Sequence, residues 1–75
     1  MSGLIKRSFT LAGHRTSVAL EAEFWDALTR LAECRGQSLS ALVASADAAR
    51  EPDSQLASVL RVLALLAVDE IRPRP

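Results

Sequence analysis

The stretch Arg15-Thr16-Ser17-Val18-Ala19-Leu20 (RTSVAL) decides how the rest of the chain is read. Polar and apolar side chains alternate along it, with Thr16, Val18 and Leu20 on one face and Arg15, Ser17 and Ala19 on the other, which is strand periodicity. Beyond Leu20 the chain reads as helix for some forty residues. A lone strand cannot satisfy its own backbone donors and acceptors, so this one needs a partner.

One candidate partner lies just upstream. In RSFTLAGHRTSVAL the alternation runs on both sides of Gly13, and Phe9 and Leu11 share a face. A two-residue Gly13-His14 turn would set Leu11 opposite Thr16 and Phe9 opposite Val18, closing a hairpin within the chain. Residues 1–14 are therefore a basic arm or an additional strand, and Met1 to Lys6 shows no periodicity.

Downstream, a first helix is expected from near Glu21 to just before Gly36. Phe24, Leu28 and Leu31 fall at i, i+4 and i+7, with Trp25 and Ala32 widening the stripe. Glu21, Glu23 and Asp26 crowd its positive end, and Gly36 is suited to the left-handed residue that comes after a helix. Cys34 reads as a small, semi-buried hydrophobe near its end. A second helix opens at Ser38, a good N-cap, and buries Leu39, Leu42, Val43 and Ala46. Pro52 then punctuates, and Asp53 or Ser54 can cap a third helix running to Ile71 before the PRP tail. Leu56, Val59, Leu60, Val62, Leu63, Leu65, Leu66, Val68 and Ile71 cover most of that helix's circumference. A helix apolar nearly all round is deeply buried or shared between chains, and in so short a chain sharing is expected.

Composition points the same way. Seventy-five residues make one domain at most, yet 49% are hydrophobic, and a chain this size buries only about 60% of its unfolded surface. Part of the apolar surface is expected against another chain. The formal net charge is zero, which gives no global case for a nucleic-acid partner. Locally, residues 1–20 carry Lys6, Arg7 and Arg15 and no acid, a net +3. A single cysteine excludes an intrachain disulfide and fits a reducing compartment. Basic residues interrupt the N-terminus where a secretory leader would be apolar, and the run Val62–Val68 is far shorter than the ~18 residues of a membrane span. The expected compartment is the cytoplasm, with no membrane partner. Neither catalysis nor metal binding is expected. His14 and Cys34 share no ligand spacing, no nucleophile–base–acid arrangement is recognisable, and no glycine-rich phosphate loop occurs. No cofactor is expected.

The order of elements carries a resemblance. RTSVALEAEFWDALTRLAECRGQSLSALV resembles the ribbon-helix-helix DNA-binding family of the Arc/MetJ type, and GHRTSVALEAEFWDALTRLA looks like a group of short bacterial ribbon-helix-helix proteins. The shared core covers residues 15–50, with residues 53–72 as an additional C-terminal helix. The resemblance implies a mostly α fold in which one N-terminal strand per chain pairs antiparallel across an intertwined homodimer. Thr16, Val18, Leu20, Phe24, Trp25, Leu28, Leu31, Leu39, Leu42 and Val43 would form the dimer core. Arg15, Ser17 and Ala19 would face the major groove of double-stranded DNA as base readers. Ala19 offers only apolar contact, which leaves one strong reader, Arg15, per chain. The amides near Ser38, Leu39 and Ser40 would hold a backbone phosphate, and Lys6, Arg7 and His14 would reach flanking phosphates. Two basic segments would give one face of a dimer +6. Leu56, Val59, Leu60, Leu63 and Leu66 would extend the dimer core or join dimers into a tetramer. The function implied is transcriptional regulation. The alternative is an antitoxin-like or adaptor module that uses the fold to bind a partner protein, favoured by zero net charge, Ala19 and the apolar third helix.

Overall fold

A computed structural model describes residues 3–72; the first two residues of the expected N-terminal arm and the PRP tail lie outside them. Two strands, β1 (Ile5–Leu11) and β2 (His14–Leu20), form an antiparallel hairpin, after which come α1 (Ala22–Cys34), α2 (Leu39–Ala49), α3 (Leu56–Leu66) and α4 (Val68–Ile71). The partner of RTSVAL is thus IKRSFT, Ile5 to Thr10 of its own chain.

The hairpin closes on Ala12-Gly13 rather than Gly13-His14. Leu11 stands opposite His14 and Phe9 opposite Thr16, not opposite Thr16 and Val18 as expected. The cause is backbone handedness. Both loop residues hold positive φ, 51° at Ala12 and 80° at Gly13, as the two-residue turn matching strand twist requires. With Gly13 second in the loop, His14 is released to extended backbone. The change slides the pairing by two residues, so every side chain keeps its face. Phe9, Leu11, Val18 and Leu20 are buried on the inner face, and Thr16 is half-buried there.

Trp25 fastens the hairpin to α1. Its ring is 2% exposed and lies 5.9 Å from the Phe9 ring at 37°. The indole Nε1 donates to the carbonyl of Ile5 at 2.7 Å. The α1 stripe therefore centres on Trp25, Leu28, Leu31 and Ala32, with Phe24 half-buried at its edge. Gly36 ends α1 with φ +67°. The Gly36 amide bonds Glu33 and the Gln37 amide bonds Ala32, the paired closure of a left-handed helix cap. Cys34, just inside that cap, is exposed rather than semi-buried, because α1's buried face has turned away by its last residue.

Ser38 caps α2 as expected, its Oγ accepting from the Ala41 amide at 3.0 Å. Leu42 and Val43 complete the core, with Leu39 and Ala46 half-buried against it. Arg50 stitches the next loop: its Nε donates to Asp47 at 2.9 Å and its Nη1 to the Ser54 carbonyl at 2.8 Å. Neither Asp53 nor Ser54 caps α3; the cap is Gln55, without a side-chain hydrogen bond. The expected single C-terminal helix is two, since Ala67 (φ −95°, ψ 9°) breaks the regular backbone between α3 and α4. Ala67 is itself buried, and past it Glu70 clasps Arg35 at the end of α1 through two hydrogen bonds of 2.8 and 3.1 Å. The bend lets the last turn wrap around the domain. No helix among the described residues is long and apolar enough to cross a membrane.

Candidate nucleic-acid interface

Because cross-strand partners point to the same side of a sheet, the register fixes a second, outward face. Its rows are Lys6 with Ala19, Ser8 with Ser17, and Thr10 with Arg15. All are exposed except Ala19, which is half-buried. The central row is joined by a hydrogen bond of 3.0 Å between the Ser8 and Ser17 hydroxyls. The two cations stand at opposite ends of the face, four residues apart along the strands, or about 13 Å at strand rise. No acid occurs within either strand.

The nearest acid in the chain, Glu21, comes directly after β2 and is held elsewhere. Arg61 of α3 reaches its Oε1 at 3.0 Å, and the same guanidinium lies 5.8 Å from the Phe24 ring centroid. The Glu21 carboxyl is held below the usual range first by a hydrogen bond from a backbone amide and then by Arg61. An ionised Glu21 is therefore neutralised by its own neighbour rather than by Lys6 or Arg15.

The residues singled out from the sequence divide among three places. Arg15, Ser17, Ala19 and Lys6 share the outward face. Arg7 does not: it lies on the inner face opposite Val18, its guanidinium 5.5 Å from the Trp25 ring centroid. His14 is exposed at the turn end, opposite Leu11 and hence on the inner side. Ser38, Leu39 and Ser40 begin α2, where the Ser38 hydroxyl is already engaged as the cap and the Leu39 side chain packs on the core. Ser8 and Thr10 were missed, although the alternation that sends Phe9 and Leu11 inward sends both outward.

The open edge of β2 matters as well. Residues flanking a two-residue hairpin loop form a hydrogen-bonded pair, and such pairs alternate along an antiparallel ladder. Leu11 with His14 begins that series, so the backbone groups of Arg15, Ser17 and Ala19 point away from β1, where no strand of the described residues covers them.

Of the expected oligomerisation residues, Leu60 is wholly buried inside the protomer and is corrected to a core residue. Packing of α3 on the sheet and on α1 consumes it. Leu56, Val59 and Leu63 are half-buried, and Leu66 is exposed. Val62 and Leu65 are exposed too, and belong with Leu66 on the side of α3 that faces away from the core.

Compared with known protein families, residues 4–68 match the model described as a ribbon-helix-helix domain. No curated protein and no solved structure matches the chain.

Proposed function

The chain belongs to the ribbon-helix-helix family, a family of DNA-binding and regulatory modules, and from that premise we propose that it is a homodimeric transcriptional regulator acting in the cytoplasm. The observation that carries this reading is the outward face of the hairpin, acid-free, with Lys6 and Arg15 flanking the Ser8–Ser17 row. Five of its six side chains can bond phosphates or base edges, and a two-stranded ribbon is an element the major groove admits.

The dimer of this reading forms where two β2 strands pair through their open edges. Centred on Ser17, antiparallel pairing sets Arg15 of one copy across from Ala19 of the other. The small side chain of Ala19 then leaves Arg15 of the second copy room to extend toward a base pair. The β1 strands flank this central ribbon and add Lys6, Ser8 and Thr10. The free amides of Leu39 and Ser40 at the start of α2 supply phosphate contacts.

The test is binding to a library of random duplexes at low salt, comparing the wild type with Arg15→Ala and Lys6→Ala. Each variant should bind about tenfold more weakly, within the roughly 1–3 kcal/mol of a good arginine contact. Absence of binding by the wild type to every duplex would remove the reading. A protein-interaction reading is favoured by one observation, the exposed Val62, Leu65 and Leu66 of α3. Retention of one specific protein after nuclease treatment, with no DNA bound, would select it.

A further inference from the structure

We infer that the outer face of α3 is a self-association surface, on which a second copy of this chain seats its own α3 antiparallel. This goes beyond the DNA reading and does not depend on it.

On a helix turning 100° per residue, Val59, Val62 and Leu66 line the side opposite the buried Leu60 and Ala64, with Gln55 and Ser58 at its N-terminal end and Leu65 beside it. Val62 is 52%, Leu65 65% and Leu66 81% exposed. Relief along this face is uneven. Its N-terminal half lines a shallow groove of about 490 Å³ formed by Asp53, Ser54, Gln55, Ser58, Val59 and Val62. Its C-terminal half projects Leu65 and Leu66. A two-fold axis passing near Val62 places Leu66 of each copy beside Ser58 and Val59 of the other, and Leu65 next to them. Projection then meets groove twice, as an isologous contact requires.

Charge permits the same approach. The only charged residue of α3 is Arg61, which is turned aside to Glu21 at 3.0 Å. Asp53 stands at the far rim of the groove, nine residues from the proposed axis, so the centre of the two faces meets without like charges. Size is consistent as well. Val62, Leu65 and Leu66 expose roughly 350 Å² together, about half of the ~800 Å² that each partner contributes to a standard interface, and Gln55, Ser58 and Val59 add a more polar rim. A contact of this area is weak alone, so the association it gives grows with protein concentration.

Cysteine cross-linking tests both the surface and its orientation. In a full-length Cys34→Ser background, Val62→Cys sits beside the proposed axis and should give a covalent dimer on mild oxidation. Gln55→Cys alone should not, because its copies are separated by the length of the helix. Ala44→Cys, exposed on α2, is the control. Leu66→Glu added to Val62→Cys should reduce the cross-linked fraction at least tenfold while circular dichroism stays unchanged. No cross-link at Val62→Cys, or equal cross-linking at all three positions, would overturn the inference. These outcomes are read without DNA, so they stand apart from failure of the binding reading.

Discussion

Ala12 holds φ at 51° in the hairpin loop, a conformation in which a β-carbon crowds the neighbouring carbonyl at a cost of about 1–2 kcal/mol. Asparagine tolerates that region, and Asn-Gly is a preferred pair for this turn. Ala12→Asn should therefore stabilise the domain by about 1 kcal/mol, read as a rise in melting temperature of about 4–8 °C. Gly13→Ala, at φ 80°, should shift it the other way. At Trp25 the corresponding change is chemical. Trp25→Phe keeps a ring against Phe9 but deletes the donor to the Ile5 carbonyl, and should cost roughly 1 kcal/mol or more. Hydrogen exchange should show the loss concentrated in β1. Sequence alone placed Trp25 in the core because its spacing fits the apolar stripe. It could not reveal which ring edge meets which carbonyl, because that depends on a register set by the positive φ of Ala12 and Gly13. The inward face of Arg7 was legible, since Arg7 alternates in step with Phe9 and Leu11, although it was grouped with Lys6.

At the scale of elements, two ion pairs join distant segments: Glu21 to Arg61 between the start of α1 and α3, and Arg35 to Glu70 between α1 and α4. The Glu70 carboxyl is lowered chiefly by its hydrogen bonds from Arg35. A carboxyl whose folded pKa lies below its unfolded one contributes stability above the unfolded value, and this is lost as pH falls through the folded value. Both pairs thus favour the fold at neutral pH and weaken below the ordinary carboxylate range near 4.5. Arg35→Gln removes the main cause at Glu70, so its melting temperature should fall less than that of the wild type between pH 7 and pH 3. An equal fall would show that Glu70 contributes nothing to the acid limb. The elements themselves were legible because each has a local signal: alternation for the strands, the i, i+4, i+7 stripe for α1, Gly36 for its end and Ser38 for the next start. The break at Ala67 was not. Alanine is a strong helix former, and the bend answers to a tertiary demand, burial of Ala67 and the clasp on Arg35. For the same reason the last helix could be read as apolar nearly all round, while Leu60 could not be told from Leu66 until the packing was known.

For the whole molecule, zero net charge conceals a separation: the hairpin carries three cations, Lys6, Arg7 and Arg15, and no acid, while all nine acids and the other six cations lie beyond it. What DNA would feel is the local face, since charges farther apart than a screening length of about 8 Å act nearly independently at physiological salt. Lys6 and Arg15 are its outward cations, and Arg7 is directed to Trp25. With Arg15 turned to base edges, the proposed dimer offers two Lys6 cations, one from each copy, for phosphates. With a slope of about −0.9 per neutralised phosphate, log affinity should change with log salt at about −1.8, or roughly tenfold between 50 and 200 mM. Titrations across that range check the value. A slope near −3.6 would mean that two dimers joined through α3 bind together. A slope near zero would show that the hairpin's charge is not what holds the duplex. Lys6→Ala removes one phosphate contact per copy and should flatten the slope by close to two, whereas Ser17→Ala should lower affinity for a preferred site and leave the slope where it was.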